Sequence, residues 1–297
     1  MPTLTTAKPT AGPPPFSHPA DFYQVRDFGQ KWEATAQLLR LHYKELFGVL
    51  VRYAGLYMLI GALFQAAGEH FVGTDGAMLF PVGTVFYAIG SFVGTGVVYG
   101  FLRARMHALD EPGARYTPDQ IWDFVNGLGS YFGSNLIFGA LMGLGFLCLI
   151  IPGIYIWPAF TLLPAVVMLE DGEESLSRCF KLVERFWWTT FGLALMAALL
   201  QVGTIQIPEA LLQSLGAALE IDQSEWFWVL PVRLLISTLQ FLLQPITAIL
   251  MAFNYFSIVE SKESPGLSWR ASRIGQAPAA TSQPHDLGAV TEGEYLL

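Results

Sequence analysis

The stretch "RLLISTLQFLLQPITAILMAFN" (Arg233–Asn254) is apolar enough to cross a bilayer, yet Arg233, Ser237, Gln240, Gln244, Thr247 and Asn254 recur along it at helical spacing. Residues seven apart on a helix drift by only about 20°. Arg233, Gln240, Thr247 and Asn254 therefore share one face, with Ser237 and Gln244 beside them. An amide left unpaired in hydrocarbon costs on the order of kcal/mol. The polar seam is thus predicted to face other helices or water, which makes this segment one member of a bundle.

The rest of the chain supplies the other members. Of its 297 residues 53 % are hydrophobic and only 13 % charged, about half the charged content of an average soluble domain. A span needs about 20 apolar residues. The segments 46–67, 77–102, 188–207 and 229–257 meet that length. The apolar block 134–170 is too long for one helix and breaks at "IPG" (Ile151–Gly153), a stop-and-turn signal. Split there into 134–151 and 153–170, it brings the spans to six. The predicted organisation is a disordered arm over 1–22, a six-span helical domain over 23–260 and a disordered tail over 261–297.

Basic residues set the orientation. Fourteen of the sixteen Lys and Arg fall before the first span, in the loops after the second and fourth, or in the tail; Arg52 and Arg233 lie inside spans. The remaining loops, 68–76, 151–153 and 208–226, hold only acidic charges such as Glu69, Asp75, Glu209, Asp222 and Glu225. A multi-pass protein of a bacterial inner membrane with both termini cytoplasmic is the expectation.

Amphipathic stretches precede the odd-numbered spans. Phe28, Trp32, Thr35 and Leu39 share a face in 27–44. In 117–133, "TPDQ" (Thr117–Gln120) has the form of a capping box with proline at the first helical position. In 171–187, Asp171 and Glu174 can cap a helix whose Leu176, Phe180, Val183 and Trp187 form a stripe. Arg178, Lys181 and Arg185 lie away from that stripe and are predicted to meet anionic lipid headgroups. The resulting fold is an all-α integral membrane protein of three parallel-repeated hairpins, each preceded by an interfacial helix.

The run "IPGIYIWPAFTLLPAVVMLEDGEESLSRCFKLVERFWWTTFGLAL" (Ile151–Leu195) resembles the membrane domain associated with bacterial glycerophosphoryl diester phosphodiesterases, and related six-span families. The likeness lies in the Pro-Gly turn, the proline-bearing short span, the acidic exit and the basic helix leading into an aromatic-rich span. It implies an accessory role in phosphodiester lipid metabolism. The soluble barrel that carries activity in that family has no counterpart here, so no enzyme activity comes with the resemblance.

Residues equipped for chemistry are scarce. The five histidines form no zinc-type spacing, and no metal or cofactor is expected. Cys148 and Cys179 are predicted to be packing thiols near opposite faces. No Asp or Glu lies deep in a span, which excludes an intramembrane aspartyl protease. The glycine pairs of "GSFVG" (Gly90–Gly94), "GVVYG" (Gly96–Gly100), "GSYFG" (Gly129–Gly133) and "GALMG" (Gly139–Gly143) suit close helix packing. No dense basic run points to nucleic acid.

The seam has two readings. One is interhelical hydrogen bonding, with partners among Gln201, Thr204, Gln206, Thr84, Tyr87, Ser91, Ser134 and Asn135. The other is a polar cavity built by Arg233, Ser237, Gln240, Gln244, Thr247 and Asn254 with Gln201. Arg233 has no carboxylate within a span, so it either snorkels to the interface or turns inward toward an anionic ligand such as a lipid phosphate. The function expected on balance is a non-catalytic membrane protein that supports lipid organisation or complex assembly, with lipids and other membrane proteins as partners. A small permease or lipid-handling protein is the alternative.

Overall fold

A computed structural model describes residues 16–71, 78–110, 118–125, 128–148, 150–170, 175–220 and 226–274. Among them every regular element is helical. Thr117, Asp171, Glu174, Asp75, Asp222, Glu225, the first fifteen residues and the tail beyond 274 lie outside them, as do the capping roles and loop charges assigned there. Six helices are long and apolar enough to cross a membrane.

The first amphipathic stretch is not a separate interfacial element. Helices α1 (Phe28–Leu50) and α2 (Leu56–His70) are joined through a π-helical turn over Val51–Gly55 into one rod. Asp27 caps its start, accepting from the Gln30 amide at 2.8 Å. Helix α1 buries a face of Lys31, Ala34, Thr35 and Leu38; of the expected stripe Thr35 is buried, Trp32 and Leu39 are half-buried and Phe28 is exposed. That face packs on protein, because the last span supplies a polar partner for Lys31.

Three hairpins follow the chain: α2 with α3 (Leu79–Asp110), α5 (Leu128–Cys148) with α6 (Ile150–Leu169), and α8 (Trp187–Ala218) with α9 (Trp226–Glu263). Short helices α4 (Pro118–Asp123) and α7 (Ser175–Val183) precede the second and third. In the first hairpin Gly61 and Gly83 bring backbones into contact. A Cβ on Gly61 would stand 2.9 Å from the Gly83 carbonyl. The α5 glycines behave otherwise: Gly129, Gly133, Gly139 and Gly143 have nothing within 4 Å of a Cβ, so their predicted packing role is not met.

The middle hairpin also departs from a regular repeat. Glu170, just past α6, accepts a hydrogen bond from Tyr255 Oη at 2.7 Å. Near the other end of α6, the Tyr155 carbonyl accepts from Trp187 Nε1 at 3.0 Å, and Trp157 meets the ring of Phe191. Phe191 adjoins Thr190, whose hydroxyl meets Asn254 at 3.2 Å. Helical rise separates Tyr155 from Glu170 by roughly 22 Å, yet both find partners within a turn or two of the Thr190–Asn254 contact. Helix α6 therefore runs across α8 and α9 rather than alongside them. Pro158 and Pro164 lie inside this helix, where proline breaks the regular hydrogen-bond ladder.

The core concentrates where α6 crosses. Val97–Leu102 of α3, Leu162–Met168 of α6 and Ile249–Val259 of α9 supply nearly half of its buried residues. Part of the predicted N-terminal arm joins them: Phe22 is buried and stacks on Phe253. On the tail side, α9 runs to Glu263 and a further helix, α10, covers Pro265–Ser272.

Candidate functional site

The polar seam of α9 divides into three separate environments. At one end, Arg233 Nε donates to Glu69 Oε2 at 2.8 Å, with a second, shorter bond to the same carboxylate. Glu209 lies 3.4 Å from the same guanidinium. Arg233 thus has its counter-charges from the ends of α2 and α8, and the expectation that no carboxylate could reach it is overturned. The long α8 explains the miss, since it carries Glu209 as a helical residue and not in a loop. An anionic ligand at Arg233 loses its motive.

At the opposite end, Asn254 is fully buried, accepting from Lys31 Nζ at 2.8 Å and donating to Thr190 Oγ1 at 3.2 Å. One turn beyond, Ser257 Oγ accepts from the Arg26 amide at 3.0 Å. Because Lys31, Arg26, Arg178, Lys181 and Arg185 gather here, this is the basic end of the bundle.

Between the two lies a cavity of about 240 Å³. Helix α3 contributes Ser91, Thr95 and Tyr99; α5 contributes Tyr131 and Asn135. Trp157, Phe160, Thr161 and Pro164 of α6 line it, as do Ala194, Ala197, Ala198 and Gln201 of α8. Gln244, Thr247, Ala248 and Met251 of α9 complete it. No lining side chain bears a formal charge.

Hydrogen bonding decides what this lining offers. Thr95 donates to Ser91 O, Thr161 to Pro158 O and Thr247 to Gln244 O, at 2.8–2.9 Å. Tyr99 Oη donates to Ala248 O at 3.3 Å, and Asn135 Nδ2 to Tyr131 O at 3.1 Å. These donors are engaged with backbone carbonyls, whereas their oxygens keep lone pairs. Gln244 is 7 % exposed; its Nε2 donates to Ser91 O and, at 3.4 Å, to Thr95 Oγ1. Its Oε1 is buried and finds no donor among the described residues. The carboxamide fits against Gly94, where a Cβ would stand 2.6 Å from Nε2. The site therefore offers several acceptors, with Gln244 Oε1 the buried one that lacks a donor, beside the donor groups of Ser91, Tyr131, Trp157 and Gln201.

The sequence-derived candidates distribute unevenly over this picture. Gln244, Thr247 and Gln201 meet at the cavity, whereas Arg233 and Asn254 belong to the two ends. Ser237 lines a separate apolar groove of about 390 Å³ between α2 and α9, and Gln240 lines neither. Of the proposed partners, Ser91 and Asn135 reach the cavity, Ser134 faces Ser175 at 3.5 Å, and Thr84 and Thr204 bond within their own helices. Thr95, Tyr99, Tyr131 and Thr161 were not singled out in the sequence. Thr95 and Tyr99 follow Ser91 at steps of four, which was the available signal.

Arg178 is likewise taken. It pairs with Glu170 at 2.9 Å and with Glu263, tying α7 to the ends of α6 and α9. These bonds hold its guanidinium above the usual arginine pKa, with Glu263 the larger cause. Lys181 and Arg185 are exposed, so only they keep the predicted freedom to meet headgroups. No cluster of three or more His, Cys, Asp or Glu among the described residues could hold a metal ion. A larger cleft of about 580 Å³ lies at the surface between the arm and α1, away from the seam. No known protein family, curated protein or solved structure matches the chain.

Proposed function

We propose that this multi-span membrane protein binds a small, uncharged, hydroxyl- or amide-bearing group within the bilayer, as a permease or lipid-handling protein does. The carrying observation is the cavity around Gln244, polar on several walls yet without a formal charge. An ion transferred there would lose its hydration and gain no counter-charge, at a cost of several kcal/mol. A neutral molecule with O–H or N–H groups would instead satisfy acceptors such as Gln244 Oε1. Native mass spectrometry of the full chain, purified in mild detergent, tests the reading. The wild type should retain a small molecule or lipid that Gln244→Leu and Thr247→Val lose. Equal retention by all three proteins would refute it.

The expected scaffold role stays as a second reading, favoured by the exposed Lys181 and Arg185 beside Trp188, which is 78 % exposed at the start of α8. Such a basic and aromatic rim suits contact with anionic headgroups. Under that reading Lys181→Ala with Arg185→Ala abolishes function and Gln244→Leu does not. Placement of the basic end in the cytoplasm of a bacterial cell rests on the charge asymmetry, and reporter fusions at each terminus test it. A role in phosphodiester lipid metabolism rests on the sequence resemblance alone.

A further inference from the structure

Resting on the cavity reading above, we propose that the occupant is the headgroup of an amphipathic lipid, reaching the cavity sideways from the bilayer with its acyl chains left outside. Four observations converge on this. Toward the basic end, the faces that line the cavity continue into a closed polar clasp. On α8, Thr190 stands one turn beyond Ala194; on α9, Asn254 stands one turn beyond Met251. Lys31, 2 % exposed, donates to Asn254, and Trp32 packs on the Ala194–Met251 cluster next to it. A water-soluble molecule arriving from that side would have to part a buried ammonium from its acceptor.

The opposite end is tied as well. Arg233 links α9 to Glu69 at the end of α2 and to Glu209 of α8, so the helices are held together beyond the cavity. The side is different. Helices α3 and α8 both line the cavity and both pack on α9, but they do not pack appreciably on each other. The cavity reaches the surface at Gln201 of α8, which is exposed. Around Gln201, α8 presents Leu199, Leu200 and Val202, all exposed and apolar. Acyl chains are at home on such a margin, and a hydroxyl-bearing headgroup is matched by the acceptors behind it.

The test uses the full chain in lipid nanodiscs with a diacylglycerol probe bearing a photoactivatable diazirine in one acyl chain. Labelling is expected on the peptides that contain Ser91 and Gln201, and unlabelled diacylglycerol should suppress it about tenfold, a change of 1.4 kcal/mol in occupancy. Gln244→Leu should lower it to a similar degree, whereas Gly139→Ala, on the open face of α5, should not. Labelling indifferent to Gln244→Leu would mark ordinary boundary lipid and overturn the proposal.

A second arm separates the route from the site. In Ala198→Cys, at a lining position whose side chain makes none of the site's hydrogen bonds, unlabelled diacylglycerol should slow modification by a lipid-borne maleimide, and glycerol should not. If glycerol protects the cysteine as well as diacylglycerol does, a polar-solute cavity stands and sideways access falls. If neither protects it, the cavity reading falls too.

Discussion

Replacing Asn254 with Leu removes the acceptor of a buried ammonium, and the structure sets the scale of the loss. Lys31 is 2 % exposed and Asn254 fully buried, and the 2.8 Å bond to Oδ1 is the one hydrogen bond of the Lys31 side chain among the described residues. A hydrogen bond to a charged group contributes about 1.5–3 kcal/mol, and stranding one member of a buried polar pair costs about 3–5 kcal/mol. Asn254→Leu should therefore destabilise the fold by about 3 kcal/mol. Lys31→Met strands only the Asn254 oxygen and relieves the burial of a charge, so a loss of about 1 kcal/mol is expected. The double variant, with neither charge nor stranded amide, should be no worse than Lys31→Met. The two changes would then be coupled by about 3 kcal/mol. Reversible unfolding in mixed detergent and SDS, followed by tryptophan fluorescence, measures all three variants. Additivity within about 0.5 kcal/mol would refute the clasp.

Other expectations follow from single contacts. Gly94→Ala places a methyl 2.6–2.7 Å from the Gln244 carboxamide, which must move and give up its bond to Ser91. A loss of about 1–3 kcal/mol should result. Gly139→Ala, with nothing within 4 Å, should instead gain about 0.5–1 kcal/mol from helix propensity, and the same unfolding assay compares the pair. Burial first, and then Glu170, push the Cys179 thiol up to about 12. Its thiolate fraction at pH 8 is then about one in ten thousand. Maleimide should leave the Cys179 peptide unmodified in the native protein and modify it in SDS, as peptide mass spectrometry would report. Arg233→Gln frees Glu69 and Glu209, and amide exchange should accelerate in the α8 segment beyond Gln201 while the stretch around Asn254 stays protected.

Much of the bundle was legible because bilayer crossing is a demand on consecutive residues. Apolar length marked out six candidate helices, and the polar seam on the last span was visible as a periodicity; the break expected at Ile151–Gly153 falls instead before Ile150, and those residues form the first turn of α6. The same local reading left Arg233 between the interface and a ligand and assigned Arg178 to lipid headgroups, and it gave Lys31 no partner. A side chain's partner lies far off in sequence: Arg233 meets a residue 164 positions away, and Lys31 one 223 positions away.

The sequence by itself determined that the chain is helical, apolar enough for a membrane, and asymmetric in charge, since composition and 3.6-residue spacing are carried by neighbours along the chain. Only the tertiary structure decided that α6 crosses α8 and α9, that Arg233 is neutralised from two other helices, and that Gln244 and Thr247 share a cavity. Those outcomes depend on which faces meet in space, a long-range choice that packing makes and periodicity does not encode.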